Sequence, residues 1–134
     1  MELPEQARHR LAHDRLAWLT TVGPSGTPQT SLVWFLWDGS EVLVYSGGTK
    51  PKVRNVVDRP RVSLAFNSNE VGGDVVVLTG DARISPDEPP VHENPAYLER
   101  YERWIVDRLR LTPEAFTERY DTAIRITPTG VRAW

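Results

Sequence analysis

Thr27-Pro28-Gln29-Thr30-Ser31-Leu32-Val33-Trp34-Phe35-Leu36-Trp37 is the stretch that decides the fold. β-Branched and aromatic residues dominate it, which is the composition of a strand. One face carries Thr30, Leu32, Trp34 and Leu36; the other carries Ser31, Val33, Phe35 and Trp37. Both faces are apolar in the second half, although a barrel strand needs only one apolar face, toward the core. The other face needs a cover, which is a helix, a ligand or another chain. A homodimer is the economical cover, and helices are the alternative. Asp38-Gly39 then reads as a tight hairpin turn, with Glu41 to Ser46 as the returning strand.

Upstream, Leu16 to Val22 has strand composition, and Gly23-Pro24-Ser25-Gly26 is a turn. A helix from Pro4 to Asp14 precedes it, with Leu3, Ala7 and Leu11 on one face. Downstream, Pro51 opens a short helix carrying Val53, Val56 and Val57, and Pro60 ends it. Arg61 to Asn67 and Val75 to Ser85 read as strands, the second with a bulge at Gly80. Asn94-Pro95 starts a helix whose apolar face is Tyr97, Tyr101, Trp104, Ile105 and Leu109. Thr112-Pro113 starts another. Thr122 to Thr127 is a closing strand, Pro128-Thr129-Gly130 a turn, and Val131 to Trp134 a last extended piece. About six strands at short spacing, joined mostly by turns too short for helical crossovers, predict a mainly β antiparallel barrel with flanking helices. No linker or repeat interrupts residues 1–134, so one domain is expected.

Composition narrows the function. The chain of 134 residues is 40% hydrophobic and 25% charged, as globular domains are. Without cysteine it has no disulfide scaffold, thiolate catalysis, zinc finger or iron–sulfur cluster. A net charge of −2 argues against a general nucleic-acid binder. No apolar run nears the ~20 residues of a membrane span. The first residues have neither the basic start nor the apolar stretch of a secretory signal, so a cytoplasmic protein is expected. His9 and His13 sit four apart on the first helix, but no third metal ligand is evident and a solvated face is the simpler reading. No nucleophile elbow, P-loop or dinucleotide fingerprint occurs.

The chemistry concentrates in Tyr45-Ser46-Gly47-Gly48-Thr49-Lys50-Pro51-Lys52-Val53-Arg54-Asn55. A strand ends, glycines turn the backbone and a helix begins, so amides at the helix start face outward and attract anions. Ser46 and Thr49 add hydroxyl donors. Of sixteen basic residues only Lys50 and Lys52 are lysine, and both lie in this turn. Lysine at the front of a helix opposes the macrodipole, which an anionic ligand would reverse.

Gly26-Thr27-Pro28, the long strand, Val44-Tyr45-Ser46, Lys52 and Arg59-Pro60-Arg61-Val62-Ser63-Leu64-Ala65-Phe66 together resemble the pyridoxamine 5′-phosphate oxidase superfamily. The resemblance spans about residues 15 to 67. It implies a split β-barrel of the FMN-binding-protein type. It also implies a homodimer holding flavin mononucleotide (FMN) or the deazaflavin coenzyme F420 at the subunit interface, with Ser46 and Lys52 on the cofactor phosphate. Ser31 and Pro51 stand where the flavin-binding oxidases carry arginine, and Val131-Arg132-Ala133-Trp134 departs from their substrate-gripping end. Pyridoxamine oxidation is therefore not expected.

Lys50-Pro51-Lys52-Val53-Arg54-Asn55 followed by Asp58-Arg59-Pro60-Arg61 is similar to the actinobacterial deazaflavin-dependent oxidoreductases. This branch implies that Lys52, Ser46, Lys50, Thr49 and Pro51 meet the coenzyme phosphate and tail. Gln29, Thr30 and Ser31 would run under the ring, and Asn55 would bond the tail or support the helix. The implied reaction moves a hydride between reduced deazaflavin and a small organic acceptor. No catalytic side chain is assigned. A proton could come from solvent, Tyr45 or a second subunit, and Trp34, Phe35 and Trp37 are candidate walls. The alternatives are an FMN-dependent reductase or oxidase and a non-catalytic protein binding a flavin, deazaflavin or haem-like molecule.

Overall fold

The computed structural model describes all 134 residues. Seven antiparallel strands form a half-barrel flanked by four α-helices, a split-barrel architecture. The strands are β1 (Leu16–Val22), β2 (Pro28–Trp34), β3 (Leu36–Trp37), β4 (Val42–Ser46), β5 (Arg61–Ala65), β6 (Val76–Ile84) and β7 (Thr122–Ala133). The helices are α1 (Glu5–His13), α2 (Pro51–Asp58), α3 (Pro95–Arg103) and α4 (Pro113–Arg119). None is long and apolar enough to cross a membrane.

The sheet order is β2-β1-β5-β6-β7-β4-β3. Its two edge strands are neighbours in sequence, separated by Phe35 alone, so the sheet has to curl until its edges meet. The expected single strand from Thr27 to Trp37 is thus two strands. Trp34 pairs with Leu16 of β1, whereas Leu36 pairs with Leu43 of β4. The alternation of side chains survives the break, which is why the pattern reads as continuous.

A second correction concerns Pro128-Thr129-Gly130. These residues do not reverse the chain. Thr79 faces Gly130 and Gly80 faces Pro128, so Thr129 is the extra residue of a bulge inside one long β7. Gly80 lies at this bulge, as its sequence context predicts. A Cβ there would sit 2.6 Å from the Thr127 carbonyl oxygen, which only glycine avoids.

Two apolar clusters divide the molecule. Inside the barrel, Leu3, Ala7 and Leu11 of the N-terminal segment pack on Phe35, Val44 and Ile124. Val56 of α2 joins them, whereas Val57 of the same helix is 64% exposed. Outside the barrel, Leu43 and Tyr45 of β4 meet Tyr97, Tyr101, Ile105 and Phe116 from the C-terminal helices. Every residue of β4 is buried because both its faces are covered. Asn94 caps α3 by accepting from the Tyr97 amide, and Thr112 caps α4 by accepting from the Ala115 amide. A π-helical turn, Trp104–Arg108, extends α3.

Helices thus cover the second apolar face only in part. Trp34 stacks on Tyr101 and Phe116. Leu32 remains 47% exposed, opposite Trp18 at 41%.

Candidate functional site

The turn before α2 is shaped by close packing against the end of α4 and the start of β7. A Cβ on Gly47 would approach the Arg119 carbonyl oxygen to 3.0 Å, and one on Gly48 would approach Thr122 Oγ1 to 2.8 Å. These contacts explain the glycine pair. The Gly48 amide donates to Asp121 Oδ1 at 2.9 Å, so one amide of the turn is taken by the chain's own carboxylate. The Lys50 and Val53 amides bond within the turn, to Gly47 and Lys50 carbonyls. The amides of Thr49 and Lys52 have no protein acceptor, and no side chain caps the helix.

A cavity of about 330 Å³ opens between this turn and the C-terminal helices. Ser46, Gly47, Lys50 and Lys52 line one part of it. Leu32, Val33, Trp34, Tyr45 and, from the helical segment, Tyr97, Leu109, Phe116 and Tyr120 line the rest. No carboxylate or histidine contributes to the wall. Neither lysine forms an ion pair. Burial and the neighbouring Lys50 charge lower the Lys52 pKa, so the protein disfavours this cation as it stands. The charge of a bound anion would oppose both effects by favouring the cation. Ser46 is 3% exposed, and its hydroxyl has only the adjacent Gly47 carbonyl, at 3.1 Å, as acceptor.

The other candidates separate. Thr49 and Pro51 belong to the turn without lining the cavity. Asn55 is buried and spends both amide protons internally, on Thr21 Oγ1 at 3.0 Å and Gln29 Oε1 at 2.9 Å. It therefore ties α2 to β1 and β2. Thr30 points to the outer face, where its hydroxyl bonds that of Thr20 at 2.8 Å. Ser31 lies opposite Leu19 in β1. Neither they nor Gln29 line the cavity. Of the expected aromatic walls, Trp34 reaches it, whereas Phe35 is fully buried in the barrel and Trp37 packs against the barrel core.

Tyr45 lines the cavity, but its hydroxyl donates to the Pro89 carbonyl at 2.6 Å and accepts from Asn94 Nδ2 at 3.0 Å. Its proton is thus held by the backbone. Sequence reasoning placed Tyr97 and Leu109 only on a packing face and gave Phe116 and Tyr120 no role. Their amphipathic spacing carries no mark of which side a cavity opens on. His9 and His13 stack at 4.3 Å on the surface, and no group of three or more His, Cys, Asp or Glu side chains is arranged to hold a metal.

This architecture has relatives of known structure. A structure described as an F420 reductase is 25% identical, with a TM-score of 0.72 over 97% of this chain and 98% of that one. A conserved hypothetical protein of Mycobacterium tuberculosis superposes with a TM-score of 0.75 at 24% identity, covering 100% of this chain and 86% of its own. HutZ, described as the heme storage protein of Vibrio cholerae, shares the fold at 16% identity, with a TM-score of 0.65 and coverage of 99% and 95%. Comparison with curated proteins finds no match. The barrel and the motif order are those of one family, and its sequence signature extends over residues 3–134: the chain belongs to the pyridoxamine 5′-phosphate oxidase family.

Proposed function

We propose that the cavity binds a phosphorylated redox coenzyme of the deazaflavin F420 type and that the protein is an oxidoreductase acting on a small organic acceptor. One observation carries this reading. Two lysines without counter-ions and a buried serine meet at one part of a cavity whose remaining wall is aromatic and aliphatic. That pairs an anion cradle with a surface for a flat ring. The similarity to an F420 reductase supports it.

When bound, the coenzyme supplies the hydride. The chain's own part is to hold and orient. Lys52, Lys50 and Ser46 would take the phosphate, with the free Thr49 and Lys52 amides as further donors. Asn55 and Gln29 would act from behind, by fixing the angle of α2 against the strands. Trp34 and the helical aromatics exclude water from the apolar part.

FMN has the same phosphate chemistry. Arginine is missing at Ser31 and Pro51, which leaves fewer cations for it. The cavity wall has no histidine, cysteine or methionine, which leaves tyrosine as its one haem-ligand type. We further propose a homodimer built on the outer face of β1 and β2, where Trp18 and Leu32 lie exposed opposite each other, with the coenzyme near that interface.

Titration of the purified protein with F420 and with FMN, followed by fluorescence, tests the reading. Saturable F420 binding with weaker FMN binding is expected. A yellow protein that releases flavin on denaturation would replace F420 by FMN, and no affinity for either would end the proposal.

A further inference from the structure

α1 carries two of the chain's three histidines, His9 and His13, and both are exposed. Side chains four residues apart project from one face of a helix. The two rings accordingly stack, with centroids 4.3 Å apart and planes at 26°. His13 Nδ1 lies 2.9 Å from the His9 carbonyl oxygen. A carbonyl only accepts, so Nδ1 carries the proton and the lone pair of the neutral ring is left on Nε2. Metal-binding histidines are set in this way: one ring nitrogen donates to a carbonyl or carboxylate while the other ligates. No carboxylate forms an ion pair with either ring.

A histidine pair on a fraying turn makes a poor chelate, because ordering the turn opposes binding. Here the last turn of α1 is fastened from outside. The Asp14 amide donates to the Arg10 carbonyl at 2.8 Å. Arg100 of α3 donates to the Ala12 carbonyl at 2.9 Å and also to that of Asp14. Arg10 reaches the Asp74 and Asn67 carbonyls at 2.7 and 2.5 Å. On the opposite side Ala7 and Leu11 are fully buried. The arginines of the helix are paired, Arg8 with Glu5 at 2.8 Å and Arg10 with Asp14 at 2.7 Å. The carbonyl end of a helix also favours a positive ion.

We propose that His9 and His13 chelate one divalent cation of the copper, zinc and nickel class, with water completing its coordination. Imidazole nitrogen suits these ions, and copper binds most tightly among them. Metal–nitrogen bonds of about 2.0–2.1 Å to two neighbouring positions place the nitrogens ~3 Å apart. A tilt of the His9 ring out of the 4.3 Å stack closes that gap, since the His13 ring is already anchored with Nε2 away from the backbone. No residue lining the coenzyme cavity lies in α1, so this site stands apart from the proposed function.

The test titrates the full chain, without an affinity tag, with Cu²⁺ alone and separately with Mg²⁺. Calorimetry should give one Cu²⁺ per chain and no Mg²⁺ uptake at the same concentrations, because a hard cation takes oxygen ligands. The electron paramagnetic resonance spectrum of the bound Cu²⁺ should show two nitrogen ligands. His9→Gln and His13→Gln should each weaken binding by roughly a hundredfold, since either leaves a single donor in place of a chelate. The double variant should be little worse than either. Both positions are exposed, and the resonance spectrum of the wild type serves as readout if a variant fails to fold. Equal Cu²⁺ affinity in the wild type and the single variants, a spectrum with one nitrogen, or Mg²⁺ uptake matching that of Cu²⁺ overturns the proposal.

Discussion

The side chain of Tyr101 holds the backbone of Phe35 by both of its polar groups. The hydroxyl accepts from the Phe35 amide at 3.0 Å and sits 2.6 Å from the Phe35 carbonyl oxygen. Phe35 is the residue at which the chain leaves β2 and enters β3, so neither group has a strand partner. The single hydroxyl proton also has the Arg15 carbonyl within reach at 2.7 Å, which brings the start of β1 into the same junction. A helix outside the barrel thereby closes it.

Tyr101→Phe keeps the stacking on Trp34 but leaves the buried Phe35 groups without partners. The expected loss is about 2–4 kcal/mol, the cost of one or two unsatisfied buried groups. Urea unfolding measures it, and a wild-type midpoint would show that the junction holds without the hydroxyl.

Lys52→Ala should weaken coenzyme binding by about 1–3 kcal/mol, the worth of a charge-assisted contact, with little change in folding. Lys52→Arg should recover only part, because a planar fork does not reproduce an ammonium. Burial and Lys50 lower the Lys52 pKa, so in the free protein the cation is lost at a lower pH than for an ordinary lysine. Affinity for the phosphate should be complete below that pKa and fall as pH rises through it. Fluorescence titration of all three proteins decides the matter; indistinguishable affinities would remove Lys52 from the site.

Sedimentation at micromolar concentration should give the mass of two chains. Leu32→Asp places a charge opposite Trp18 in the middle of the proposed interface and should shift the mass to one chain while the fold persists. A wild-type mass of one chain would leave the exposed pair without the proposed partner.

Acid should destabilise the protein in a defined window. Glu41 is held at about 2 by the Arg83 fork and the Thr127 hydroxyl, which overcome its desolvation, with the Arg83 and Arg125 charges adding to them. Burial pushes the Asp38 pKa up, but the Glu41 and Ser40 amides and Arg125 outweigh it and bring it to about 2. Both folded values lie below the usual carboxylate range of about 4. Their stabilisation is therefore complete above that range and disappears as pH falls toward 2. Arg125→Ala, which also unpairs Glu88, should cost about 2 kcal/mol at neutral pH and make the acid decline shallower. Thermal unfolding from pH 7 to 2 tests this; a flat profile in the wild type would contradict it.

Several features were legible in the chain itself. The turn at Gly47-Gly48, the lysine pair and the proline at the start of α2 are local chemistry, and α2 begins at Pro51 as the spacing predicts. Caps at Asn94 and Thr112 follow from side chains acting on amides three residues away. The bulge at Gly80 has a local sign as well, a glycine between strand residues.

Other features depend on residues far apart in the sequence. The break at Phe35 leaves no trace in the alternation of side chains, because a strand that changes sheet edge keeps its period of two. Asn55 has the spacing of a ligand one helical turn beyond Lys52, and only its contacts with Thr21 and Gln29 turn it inward. The cavity wall joins β2 and β4 to residues 97–120, a pairing no short motif can encode. Local order came from propensity and turn chemistry acting over a few residues. Which aromatic side chains share the cavity with the lysines was decided by the packing of helices on the curled sheet.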